Sequence, residues 1–469
     1  MKKIIFLLSF FFLTLFVFAP SVSAITDPTL VPNNKFGIHV VDAGDLENVA
    51  KLTNSNGGDW GYVTLVIQKG ERDTRRWQRV FDEMRRLHLI PIVRVATAPN
   101  GDVWEKPNPD EIDGWVSFFN SLNWVIKNRY ITVGNEPNHA KEWGGQINPS
   151  EYATYLKTFS GKLKSASGDY FILPAGLDAS AGNTRDSMDE STYLARMISS
   201  EPDLFNNIDG WASHSYPNPN FSGSPDGVGK GSVRSYLWEE DYLKTLGVTK
   251  NLPVFITETG WTHDASGRLP GNTSSNDLGA KYEEAYKYAW NSPNVVAVTP
   301  FVFSYQDNLF DMFSWKKRDG NFYNFYYSVQ NLTKVAGKPV QVNEGEILSG
   351  ITPQIGNTDN DFYSLLFVKN NGQAIWDKAN LGVRSDKGES FQIVSTVPAT
   401  IEPGQIGIIS IKGKLPQESG SYKDFFLLFN NQPITQKYFF EIKVIPFVTL
   451  QTIIENAKMF FISKLSLGR

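Results

Sequence analysis

Tyr130-Ile-Thr-Val-Gly-Asn-Glu-Pro-Asn138 and Val254-Phe-Ile-Thr-Glu-Thr-Gly-Trp261 are built alike. Each is a short apolar, β-branched run, the mark of a buried strand, that gives way to a glutamate with Pro or Gly within the next two residues. Working outward, six further runs of the same texture lie at Phe36–Val40, Tyr62–Ile67, Ile90–Val95, Phe171–Ala175, Gly210–Ser215 and Val295–Phe301. Longer stretches of helical period separate them, so the chain from Phe36 to Val302 reads as βα units around a parallel sheet. Eight such strands imply a closed (β/α)8 barrel, over residues 30–337. In the stretch Arg75–Arg86, Trp77, Val80, Phe81 and Met84 fall on one helical face, and its arginines are expected to face water.

After about Gly337 the texture changes to short alternating runs at 362–368, 391–394, 406–411, 425–429 and 438–444, separated by turn signals such as Asn370-Asn-Gly372 and Pro403-Gly404. An antiparallel, Ig-like β-sandwich over 338–446 is the expected reading. Upstream, Met1-Lys2-Lys3 and an apolar stretch from Ile4 to Ala19 end in Val22-Ser-Ala24, which reads as a signal peptide over 1–24 with cleavage after Ala24, an uncleaved anchor being the alternative. On either reading the protein is expected outside the cytoplasm, secreted or at the cell surface. The 447–469 tail is amphipathic and interrupted by Gln451, Glu455 and Lys458, too polar to span a bilayer. A packed terminal helix is the expectation, with cell-surface association through this tail or the sandwich as the alternative.

Composition narrows the chemistry. The 469 residues contain no cysteine, which excludes disulfides, thiolate nucleophiles and cysteine-ligated metal. Five histidines show no metal-site spacing, so no metal or cofactor is expected. A formal charge of −4 offers no general attraction to nucleic acid. What remains is the pair of strand-end glutamates. In an eight-stranded barrel the carboxyl ends of the strands converge on one face, so Glu136 and Glu258 are expected to meet across a central pocket. Unpaired burial of a glutamate costs several kcal/mol, so residues of this kind serve something. Two opposed carboxyl groups are what cleavage of a glycosidic bond requires. One donates a proton to the departing oxygen and the other acts at the anomeric carbon, directly at about 5–5.5 Å separation or through a water at roughly 6.5–9.5 Å.

Asn135-Glu136-Pro137 after the fourth strand, Glu258-Thr-Gly-Trp261 after the seventh and His214-Ser-Tyr216 after the sixth together resemble the retaining glycoside hydrolases of clan A, over about Phe36 to Gln330. The resemblance implies Glu136 as acid/base, Asn135 as the ligand of the sugar 2-hydroxyl and Glu258 as nucleophile. A nucleophile must stay ionised, and Arg94 and the Tyr216 hydroxyl are the candidates to keep it so. His214, Tyr216 and Arg94 are accordingly expected at the substrate, and Trp261 to stack on a sugar ring. Two features depart from the clan. Where many members place an arginine after strand two, this chain offers Lys69-Gly-Glu-Arg72, with Arg94 one strand later; the tryptophan common after strand eight arrives only at Trp315, so either Phe303 or Tyr305 is expected to fill that position or the subsite differs. An exported retaining hydrolase acting on an oligo- or polysaccharide is the reading. A transglycosidase with the same residues and a non-catalytic surface glycan-binding protein are its rivals. The loops Pro99–Asp113 and Asn218–Gly231 are expected to set the substrate.

Overall fold

A computed structural model describes residues 25–263, 274–307, 309–385 and 390–446. The expected signal peptide and the C-terminal tail lie outside the described residues. Each of the eight expected runs is a strand: β1 (Gly37–Val40), β2 (Gly61–Gln68), β3 (Leu89–Ala96), β4 (Arg129–Val133), β5 (Tyr170–Pro174), β6 (Trp211–His214), β7 (Val254–Glu258) and β8 (Val295–Val298). A helix follows each in turn: α1 (Leu46–Thr53), α2 (Thr74–Arg86), α3 (Ile112–Asn120), α4 (Pro149–Ala166), α5 (Glu190–Ser200), α6 (Ser235–Thr245), α7 (Ser275–Glu284) and α8 (Asn324–Asn331).

All pairs among these strands are parallel, in a five-stranded sheet β1-β2-β3-β4-β5 and a three-stranded sheet β6-β7-β8. Contacts cross both seams. Phe36 bridges Val298, and the His39 N–H reaches the Pro300 carbonyl at 3.0 Å. On the other side Asp178 bridges His214, and the Asp209 N–H reaches the Ile172 carbonyl at 2.9 Å. The two sheets also share an interior. Tyr62 of β2 and Tyr130 of β4 meet Phe255 of β7 at ring-centroid distances of 6.4 and 5.0 Å, and Phe171 of β5 joins them at 5.6 Å from Phe255. Burying side chains of this size stabilises the fold by about 1.5–3 kcal/mol each, and it commits the strands to presenting their carboxyl ends on one face.

Helix α2 buries Trp77, Val80, Phe81 and Met84, as the sequence pattern predicts. Its arginines do not all face water. Arg85 is only 2% exposed; it pairs with Asp82 at 2.6 Å and donates to the Asn123 carbonyl and side-chain oxygens at 3.0 and 2.6 Å. The loop before β4 offers carbonyls without helix or sheet partners, and a guanidinium with several donors satisfies them.

From Gly345 onward the pairing turns antiparallel. The main strands β9 (Gly345–Ile351), β10 (Ile355–Asn357), β11 (Asp361–Asn370), β12 (Leu381–Ser385), β13 (Ser390–Val397), β14 (Ile406–Lys414), β15 (Gly420–Phe429) and β16 (Tyr438–Ile445) lie in the order β9-β11-β14-β13-β12-β15-β16-β10. Short β10, at one edge, departs from the pattern and runs parallel to β16. In β11, Phe362, Leu366 and Val368 face a separate core with Trp376 and Ile409, while Tyr363 and Leu365 face outward. Strands β9, β10 and β12 carry glycines and charges that dilute the alternation, so their sequences do not announce them. This region fastens to the loop before β4. The Gln373 amide donates to the Ile126 carbonyl and accepts from the Val342 N–H, both at 2.9 Å, and Asn123 donates to the Gly372 carbonyl at 3.0 Å. No helix among the described residues is long and apolar enough to cross a membrane.

Candidate active site

Past the end of β4 the chain has to turn sharply. Gly134 takes φ 94° and Glu136 φ 33°, both in the left-handed region that L-residues avoid. The turn is fixed from below and behind. The Glu136 N–H donates to the Gly176 carbonyl at 3.0 Å, just beyond β5. The Asn138 amide, fully buried, donates to the carbonyls of Asp178 and Met188 at 3.0 and 3.1 Å. Gly176 also leaves room for a ring, since a Cβ there would lie 2.2 Å from the His214 imidazole. Only glycine lets that side chain, at the end of β6, approach so closely, and its Nδ1 lies 2.9 Å from Glu136 Oε1.

Glu258, the last residue of β7, is buried opposite. The Tyr216 hydroxyl donates to Oε2 at 3.0 Å, and the Arg94 guanidinium forms a short ion pair with Oε1. The same Arg94 nitrogen donates to Asn135 Oδ1 at 2.7 Å, and His214 Nδ1 lies 3.8 Å from Glu258 Oε2. One carboxylate oxygen of Glu136, one of Glu258 and one ring nitrogen of His214 all lie within 4.8 Å of one another. The structure thus brings Glu136, Glu258, Asn135, Arg94, His214 and Tyr216 into one cluster.

Charge organises it. Burial alone would raise the Glu258 carboxyl, but His214, Arg94 and His39 outweigh it and hold it at about 2. Burial alone would lower His214, and the charges of Glu258 and Glu136 overcome it and raise it above its ordinary value. Burial, with Glu258 and Glu136, pushes the Tyr216 phenol far up, so it stays a donor. Three ligand atoms at this spacing match what a metal ion needs. Arg94 already neutralises Glu258, however, and a second cation would meet that guanidinium.

A cavity of about 360 Å³ opens over this cluster. Phe301, Phe310 and Phe313 line it beyond β8, whereas Phe303 is packed in the interior and Tyr305 does not reach it. The expected substitutes for the absent tryptophan are therefore corrected to these three phenylalanines. Trp261 also requires correction. It is 1% exposed, donates to the Gly223 carbonyl at 2.7 Å and packs against Tyr282 and Trp290. Gly260 turns the chain at φ 127° and sends the indole into the core, away from the cavity.

Other cavity residues escape a reading of strand ends because loops carry them. His139 and Asp178 pair at 2.9 Å. Burial opposes ionisation of Asp178, but His139 and Ser180 bring it down to about 2. Glu142 lines the same cavity with its side chain 10% exposed, and burial, then the charge of Glu136, raise its carboxyl. Trp104 and Lys106 reach the cavity from the loop after β3, one of the two stretches expected to set the substrate.

No family model matches the chain, and no curated protein does. Among solved structures it is similar to a GH128 (subgroup II) endo-β-1,3-glucanase from Sorangium cellulosum, at 16% identity over 64% of this chain and 98% of that one, with a TM-score of 0.41. It is similar to a monomeric β-xylosidase from Caulobacter crescentus at 10% identity over 83% and 98% of the two chains, with a TM-score of 0.45. A β-mannanase from Thermomonospora fusca matches at 14% identity over 65% and 92%, with a TM-score of 0.40. All three superpositions are loose.

Proposed function

We propose that this chain is an exported retaining glycoside hydrolase, with a (β/α)8 barrel over 30–337, a β-sandwich accessory domain over 338–446 and a signal peptide over 1–24. The observation that carries the reading is the approach of Glu136 and Glu258 to within 4.8 Å, oxygen to oxygen. That spacing belongs with direct attack and leaves too little room for the water that inversion requires.

The environment of each carboxyl supports a division of roles. Glu258, held ionised by His214 and Arg94 and accepting from the Tyr216 hydroxyl, is the nucleophile. Its oxygen bonds the anomeric carbon as the bond to the leaving oxygen breaks, while Glu136 passes its proton to that oxygen. In the second half, Glu136 takes a proton from water as the water oxygen attacks the same carbon, and the Glu258 carboxylate leaves. His214, bonded to Glu136, orients it in both halves. Asn135, fixed by Arg94, lies beside the same centre and binds the hydroxyl next to the anomeric carbon.

Glu258→Ala is expected to abolish hydrolysis of an activated aryl glycoside, and azide is expected to restore part of it with inverted product. Full activity of that variant ends the assignment.

A further inference from the structure

Half of the twelve tryptophans of this chain hold the fold together: Trp124, Trp211, Trp261, Trp290, Trp315 and Trp376 are fully buried. Trp104 is built differently. It is half-buried, lines the catalytic cavity and meets no other ring among the described residues. An indole left partly facing water in a concave site, with no aromatic neighbour among the described residues, is apolar surface available to a ligand.

The backbone that carries the ring is held in place in advance. Trp104 pairs with Pro99 and Val103 with Asn100 in a tight hairpin turned at Gly101, φ 64°. The Gly144 N–H donates to the Trp104 carbonyl at 3.0 Å, which ties the hairpin to the loop carrying Glu136. On either side of the next bond, Glu105 pairs with Lys69 and Lys106 with Glu151, the latter at 2.8 Å. A hairpin already tied down at its backbone has less ordering entropy to lose when a ligand binds.

The ligand chemistry follows from what surrounds the indole. Lys106, Asn108 and Glu111 line the same cavity. Asn108 spends its oxygen on the Asp110 N–H at 3.0 Å, and its NH2 group remains for a hydroxyl. A purely apolar ligand would cover these polar groups without pairing them. A pyranose ring presents C–H groups on its face and hydroxyls around its edge, and so fits both.

We propose that Trp104 is the platform of a further subsite that stacks the ring of a second sugar unit, so that the substrate is an oligo- or polysaccharide and a simple monoglycoside fills the site only in part. This rests on the glycosidase reading. The test compares kcat/KM on 4-nitrophenyl monoglycosides with that on β-linked gluco-, manno- and xylo-oligosaccharides of two to six units, for the wild type, Trp104→Ala and Trp104→Phe.

Trp104→Ala is expected to reduce the ratio of oligosaccharide to monoglycoside kcat/KM at least tenfold, and Trp104→Phe to recover most of it. In a Glu258→Gln chain, Trp104→Ala should also weaken oligosaccharide affinity at least tenfold. An unchanged ratio, whatever the absolute rates and melting temperature, overturns the subsite and leaves the glycosidase reading standing. Absence of turnover by the wild type across the panel overturns both.

Discussion

At Glu258, burial and charge pull in opposite directions, and charge wins. Its ordinary value of 4.5 falls to about 2, so the folded chain binds this proton less readily than the unfolded one. The resulting stabilisation is complete above pH 4.5 and is lost as the pH falls towards 2, an effect on the order of 3 kcal/mol. Glu258→Gln removes the titration. Its unfolding free energy, measured in urea between pH 2 and 5, should fall less steeply than that of the wild type; identical slopes refute the ionised, Arg94-paired carboxyl. Glu136, Glu258 and their neighbours are readable from sequence because polar residues at the ends of apolar strands have few structural uses. Trp261 misleads because a tryptophan after a strand serves the core as well as a cavity, and the turn at Gly260 decides which.

The turn beyond β5 does at the level of elements what no single catalytic side chain does. Gly176 takes the backbone of Glu136 on its carbonyl and the ring of His214 against its Cα, so two strand ends are registered through one residue. Gly176→Ala is predicted to displace the imidazole from Glu136 and to lower kcat/KM by about 10²-fold, the cost of a misplacement near 1 Å. Because the φ of Gly176 is not in the left-handed region, the loss should appear in turnover far more than in melting temperature. Wild-type kinetics in this variant would show that the ring has another place to go. In the sequence, Ala175-Gly176 is an unremarked end of a strand, and its importance exists only once β4, β5 and β6 are side by side.

Across the whole molecule, the antiparallel region is attached at the end of the strands remote from the chemistry. Gln373 and Asn123 meet at the loop that leads into β4, whereas Glu136 follows the far end of that strand. Gln373→Leu orphans the Ile126 carbonyl and the Val342 N–H, at a cost of about 1–3 kcal/mol each. The predicted result is a lower melting temperature with kcat on an aryl glycoside unchanged. A fall in kcat without loss of stability would place the accessory region in the catalytic cycle.

Local composition and period are enough to set eight parallel strands and to mark the glutamates that end two of them, because a buried strand must be apolar and its interruption is conspicuous. They also set the change to antiparallel texture after Gly337, since turn residues and alternation are properties of a few neighbouring positions. Tertiary structure alone decides the approach of the two carboxylates to within 4.8 Å, the escape of Trp261 into the core and the arrival of Trp104 at the cavity. These depend on distances between residues far apart in the chain, and such distances are set by packing, where no short stretch of sequence carries them.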